Sequence, residues 1–243
     1  LGWFAEGPNP DYGLLAFRQL SEALGTSSWY LRALRDEGWM AQRLAHIASS
    51  SRYVVNLLMR APEMVQMLAH SENLELRPRD LLSRSMSRDI ERASDRAAAV
   101  ASVRALRRSE LCRIALADVL GAADVTTVGL ALSDLAGATL DAALELARRE
   151  VEAPPVGVIG MGRWSGCELG YASDTDAMFV IPDGSGPEEQ AAATRLVRLA
   201  CDLVGKPGPE PAMVVDAGLR PEGKGGPLVR TVSSYLTYYA KWS

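Results

Sequence analysis

At Pro154-Pro155 the chain changes texture, and that change limits the fold more than any other feature. Before it, apolar residues recur at every third or fourth position, the period of amphipathic helices. After it come short β-branched runs closed by glycine or proline, the marks of strands and turns. No internal repeat or low-complexity segment interrupts either part. The pattern predicts an α+β protein in two modules, an all-helical array over residues 1–152 and a sheet-containing module over residues 153–243.

In the helical part, "DYGLLAFRQLSEALG" sets Leu14, Phe17, Leu20 and Leu24 at helical spacing, with Asp11 as N-cap and Gly25 as the stop. "TSSWYLRALRDEGWMAQRLAHIAS" reads as the next helical stretch, and Pro62 breaks or kinks the one after it. Arg84, Arg88, Arg92 and Arg96 recur every fourth residue and predict one basic stripe along a helix. A solvated face is the favoured reading of that stripe; an acidic partner or the mouth of an active site is the other. "RRSELCRIALADVLG", with ends near Ser109 and Gly121, and "VTTVGLALSDLAGATLDAALELARREV" complete the array. His46 and His70 stand without partners in the sequence and read as structural or surface residues. Trp29 and Trp39 read as packing residues.

The second part has the order strand, short helix, strand, helix, strand. "VGVIGMG" and "DAMFVI" are the first two strands, and Pro182-Asp183-Gly184 closes the second. "PEEQAAATRLVRLACDLVG" is helical, "AMVVDAGLRPEG" is a third strand turning at Pro221, and "VSSYLTYYAKW" starts another helix. Met178 and Val180 make one face of the second strand apolar, and Phe179 and Ile181 the other, which predicts a central strand.

Composition removes several classes of function. A net charge of -4 over 243 residues gives no nucleic-acid signal. Cys112, Cys167 and Cys201 lie far apart with no C-x-x-C pair, which argues against a zinc site or a disulfide framework and suits a reducing cytoplasm. No apolar run approaches the roughly 20 residues of a membrane span, so no membrane association is expected. The N-terminus lacks the pattern of a signal peptide. The chain starts without Met and stops at "YYAKWS", and so reads as a fragment of something longer.

The chemistry centres on "VGVIGMGRWSGCELGYASDTDAMFVIPDG". Its glycines run G-x-G-x-x-x-G, not the dinucleotide G-x-G-x-x-G, and no phosphate-binding G-x-x-x-x-G-K-[ST] occurs in the chain. Two acids arrive early instead. On a strand, Asp174 and Asp176 share a face with Cα atoms about 6.6 Å apart. Paired acids at a strand end need a cation, and Mg²⁺ takes hard oxygens from one or two carboxylates plus substrate phosphates. By itself D-x-D is most often a solvated loop. The third strand, however, also ends in an acid, Asp216, followed at once by Arg220, Glu222 and Lys224. Three strand-borne aspartates, a small-residue turn and nearby cations make a two-metal phosphoryl-transfer constellation.

"GMGRWSGCELGYASDTDAMFV" resembles the G-x-G-x-x-G-G-x-E-L-x-x-x-S-D-x-D signature of DNA polymerase β-like nucleotidyltransferases, and more narrowly that of the glutamine synthetase adenylyltransferase family. "VVDAGLRPEGKGGPLVRTVSSYLTYYAKW" resembles the same family's V-D-x-x-L-R-P-x-G-x-x-G-P-L-V block. The two blocks cover most of residues 156–243, and "RRSELCRIALADVLG" resembles the helix before the catalytic module. "ELGYASDTDAMFV" and "YYAKWS" look like the C-terminal, AMP-attaching half of the actinobacterial branch. Two departures stand out: Ser165-Gly166-Cys167 in place of Gly-Gly-Arg, and Gly218 where a basic residue is common.

The resemblance implies a DNA polymerase β-like module with a small mixed sheet, truncated at its C-terminal side. It implies transfer of AMP from ATP to a tyrosine of glutamine synthetase, with a PII-type signalling protein as a further partner. Asp174, Asp176 and Asp216 would hold two Mg²⁺ ions, with Asp216 also placed to take the hydroxyl proton. Gly162, with backbone N–H groups at Ser165 and Gly166 opening a short helix "GCELG", would cradle the triphosphate. Ser173 would add a hydroxyl, and Arg163, Arg220 and Lys224 would clamp phosphates. Glu168 would brace the helix, and Cys167, without a neighbouring His, would not be a nucleophile. Three alternatives remain open here: the deadenylylating, phosphorolytic half of the family, a non-catalytic regulatory module, and nucleotidyl transfer to a small molecule or an RNA end.

Overall fold

The computed structural model describes residues 2–36, 38–208 and 210–242. The chain forms two compact units, one running to Leu76 and resuming over Arg108–Val128, the other holding Arg77–Arg107 and everything from Gly129 on. Each has its own core.

The first unit opens with α1 (Gly2–Ala5) and α2 (Pro10–Leu24). Asn9, not Asp11, caps α2, its side chain accepting from the Tyr12 N–H at 3.2 Å. Pro10 fills the first helical position, where a missing N–H costs nothing. α3 (Ser28–Asp36), α4 (Gly38–Ser50) and α5 (Arg52–Arg60) follow, and the junction at Glu37 lies outside the described residues. Pro62 stops α5 and starts a 3-10 stretch over Pro62–Ala69. Phe4, Ala16, Ala45, Ala48 and Val55 form a core cluster with Tyr12 and Phe17 against it. Trp39 is exposed instead, with the Arg43 guanidinium 4.9 Å from its ring. His46 meets the Val119 carbonyl through Nε2 at 3.3 Å, a structural placement.

The second unit begins with α6 (Arg79–Arg92), which buries Leu82, Met86 and Ile90 at a four-residue spacing. The arginine stripe is interrupted here. Arg84, Arg88 and Arg92 are exposed on α6, but Ala93 is extended and Arg96 opens α7 (Arg96–Val119). Arg84 pairs with Asp80, and Arg96 with Glu150. α7 runs straight through Ser109, because the alanine-rich stretch before it is a strong helix former. Gly121, at φ +68, ends the turn after α7. α8 (Val125–Arg148) is long and apolar enough to pass for a membrane span by length and composition, contrary to the sequence expectation; most of that apolar window is buried inside the protein.

The sheet centres on β2 (Thr175–Ile181), as the two apolar faces predict. β1 (Gly157–Gly160) runs antiparallel to it, pairing Gly160 with Ala177. β3 (Val215–Asp216) is parallel to the N-terminal end of β2, and β4 (Val229–Thr231) to its C-terminal end. β3 is only two residues long, and β4 escapes the sequence reading because three residues after a glycine-rich loop give no periodicity. α9 (Gly162–Ser165) is the short helix, four residues upstream of the expected "GCELG", which is not helical. α10 (Pro187–Gly205) packs on β2 and β4, its Gln190 side chain donating to the Val229 carbonyl at 2.7 Å. α11 (Val232–Trp242) packs on β4 and is tied to β2 by Tyr235, whose hydroxyl donates to the Phe179 carbonyl.

Candidate active site

Strand pairing puts two of the three aspartates together. The Thr175 N–H donates to the Val214 carbonyl at 3.0 Å, and this sets the register in which Asp176 lies opposite Asp216. Residues directly paired across adjacent strands project on the same face, roughly 5 Å apart. Asp176 and Asp216 are half-buried there, and Asp174, just before β2, is exposed. Asp174 and Asp176 line a cavity of about 490 Å³ together with Arg163, Gly170, Ala172 and Ser173.

Glycines keep both carboxylates accessible. A Cβ on Gly162 would sit 2.8 Å from Asp176 Oδ2, and one on Gly218 2.9 Å from Asp216 Oδ1. Gly162 is also left-handed, at φ +52, a conformation that only glycine adopts without cost. Asp216 Oδ1 accepts the Gly218 N–H at 2.7 Å. A side chain at Gly162 would fill the space in front of the Asp176 carboxylate, so the residues present there suit a hard cation. Among the described residues no three His, Cys, Asp or Glu side chains stand together as a metal-holding group, so Asp174, Asp176 and Asp216 do not form a preassembled set. Mg²⁺ does not need one, since it keeps several waters and takes substrate phosphate oxygens.

Around the aspartates the backbone is already engaged. The Ser165 N–H donates to the Met161 carbonyl at 3.2 Å and its hydroxyl to Gly162 at 2.8 Å, so the cradle expected at Ser165-Gly166 is not open at Ser165. Ser173 closes a turn instead, its Oγ accepting from the Gly170 N–H at 3.0 Å. Arg163 is exposed at the cavity. Arg220 and Lys224 line another cavity. The Arg220 guanidinium donates to the carbonyls of Ala217, Lys224 and Gly226, which fixes the loop after β3. Glu168 and Cys167 are exposed.

Two supports lie outside the motif. The indole of Trp164 is buried and donates to the Ser133 carbonyl of α8 at 3.1 Å. Gly129 of α8 comes so close to the loop that a Cβ there would be 2.8 Å from the Cys167 carbonyl oxygen. α8 thus holds the loop that carries Gly162 and Arg163. A glycine in the middle of an apolar helix is the one sequence signal that could have pointed to this contact.

The family model described as glutamate-ammonia ligase adenylyltransferase matches residues 41–243. Over its whole length the chain is 54% identical to the bifunctional glutamine synthetase adenylyltransferase/adenylyl-removing enzyme of Cutibacterium acnes, covering 24% of that protein. It is 45% identical to the protein of the same name from Streptomyces coelicolor and 44% to that from Mycobacterium tuberculosis, covering 26% of each. The chain therefore spans about a quarter of the length of these curated relatives.

Proposed function

As the chain belongs to the glutamate-ammonia ligase adenylyltransferase family, we propose that its aspartate cleft transfers AMP from ATP to a tyrosine hydroxyl of glutamine synthetase. The observation that carries this reading is the parallel pairing of Asp176 with Asp216, where Asp176 and Asp174 line a cavity that also holds Arg163 and Ser173.

In the reaction the tyrosine oxygen bonds to the α-phosphorus, and the bond from that phosphorus to the oxygen bridging to the β-phosphate breaks. Pyrophosphate leaves with that bond's electron pair. Asp216 accepts the hydroxyl proton through Oδ2, since Oδ1 is held by the Gly218 N–H. Asp174, Asp176 and Asp216 would hold Mg²⁺, which when bound neutralises charge on the phosphates and makes the hydroxyl more acidic. Arg163, which lines the cavity from α9, would meet the phosphates, and Ser173 closes the turn just before Asp174.

The relatives are named for both attachment and removal of the adenylyl group. We assign this chain to attachment on the residues "ELGYASDTDAMFV". The test incubates the chain with Mg²⁺, glutamine synthetase and α-labelled ATP, comparing wild type with Asp174→Asn and Asp176→Asn. Label on glutamine synthetase that falls at least a hundredfold in both variants supports the assignment. Equal labelling by the variants removes the metal role. ADP formed from adenylylated glutamine synthetase and phosphate, without forward labelling, reverses the direction.

A further inference from the structure

α10 and the glycine-rich loop before β4 border a second cavity, of about 630 Å³, which shares no lining residue with the aspartate cleft. Arg195 and Arg198 line it from α10, and Arg220 and Lys224 from the loop; no aspartate or glutamate lines it. Such a concentration of one sign is unexpected in a chain whose net charge is -4.

The chain itself does not neutralise these charges. Arg195 and Arg198 lie three residues apart, so one helix face presents both, and both are exposed. Neither they nor Lys224 makes an ion pair among the described residues. Arg220 donates only to backbone carbonyls, which fix its guanidinium and leave its full charge facing the cavity. Cations gathered in a concavity raise a positive potential that draws in anions, more so where low-dielectric walls focus the field. Gly225 adds no side chain to the lining, and a Cβ there would stand in open space, so this part of the loop leaves room for a bound group.

We infer that this cavity is an anion site separate from the aspartate cleft, and that it takes a multiply charged phosphate compound. The choice of phosphate over carboxylate follows from the four cations. A single carboxylate brings one charge and two oxygens, whereas a pyrophosphate or triphosphate brings several of each. Arginine forks donate paired N–H groups to phosphate oxygens, and lysine adds a point charge. The two cavities share no lining residue, so Arg220 and Lys224, which the family resemblance assigns to the transferred nucleotide's phosphates, stand here in a cavity of their own.

The test titrates the chain with pyrophosphate in EDTA, following backbone amide resonances. In the wild type, pyrophosphate should shift the amides of residues 190–198 and 224–228. The double variant Arg195→Ala/Arg198→Ala should bind at least about tenfold more weakly. Lys224→Ala, on the other wall, should weaken binding as well, while Arg163→Ala should leave it within about twofold. Circular dichroism checks that each variant is folded. ATP binding at the same amides more than tenfold tighter than pyrophosphate identifies a nucleotide as the natural ligand; equal affinity identifies the free anion. The inference is overturned by absence of shifts in this region, by unchanged affinity in the double variant, or by equal weakening in Arg163→Ala, which would merge the two cavities. Succinate binding as tightly as pyrophosphate overturns the phosphate assignment.

Discussion

Gly162 is where chemistry and backbone meet most tightly. Its positive φ and its contact with Asp176 both exclude a side chain. Gly162→Ala should lower stability by roughly 1–2 kcal/mol, measured by urea unfolding, through left-handed strain. The same methyl should push the Asp176 carboxylate aside and reduce the proposed AMP transfer at least tenfold. The cysteines give a second residue-scale test. Burial raises the Cys112 thiol to about 12 and the Cys201 thiol to about 11, whereas Cys167 is exposed. A raised thiol pKa keeps the unreactive protonated form, so at pH 8 neither Cys112 nor the half-buried Cys201 offers thiolate. Iodoacetamide should then add one group to the native chain, at Cys167 by peptide mass spectrometry, and three after denaturation. At this scale much of the cleft was legible in the sequence, since two acids spaced i, i+2 and a third on another strand are expensive to gather without a cation. What the sequence could not show is which N–H groups are already taken. Ser165 looks free in one dimension and is bonded to Met161 in three.

Helix and strand ends were read with less success, and the reason is local competition. "GCELG" has helix-forming residues, but Gly162 to Ser165 form the turn first, because Trp164 must reach the Ser133 carbonyl. Gly129→Ala tests the same packing from the α8 side. Its new methyl would meet the Cys167 carbonyl, and overpacking of this kind costs roughly 1–3 kcal/mol, seen as a lower melting temperature with the circular dichroism spectrum unchanged. Asp183, expected only as part of a turn, also helps cap α11, accepting from the Ser233 N–H at 2.8 Å beside Thr231, which accepts from the Ser234 N–H. The bond from the Ser233 N–H, followed by the Ser233 hydroxyl, holds the Asp183 carboxyl below the usual range. A depressed folded-state value means the cap helps above the unfolded pKa and fades as pH falls through the folded one, below about pH 4. Asp183→Ala should speed amide hydrogen exchange across residues 232–242 at neutral pH and leave β2 unaffected.

Across the whole molecule, the change of texture at Pro154 marks where strands begin, while the compact units divide the chain differently. α6 and most of α8 share a unit with the sheet, joined by contacts such as Arg79 with Asp141 and Ser87 with Glu145, which no local pattern reveals. The other unit hides a charged pair, Arg113 with Glu110 at 3.0 Å, with Arg113 also bonded to the Asn73 carbonyl. Arg113→Met leaves a carboxylate buried and should cost about 3–5 kcal/mol in calorimetric stability. The fold class, by contrast, was legible from periodicity alone, since helical and strand periods rarely mimic each other over a hundred residues. The register that sets Asp216 beside Asp176 has a consequence for synthesis. On the ribosome Asp174 and Asp176 emerge well before Asp216, so a half-made chain carries an incomplete set of ligands. Under the proposed chemistry, translation itself keeps the nascent chain from consuming ATP until β3 has docked beside β2.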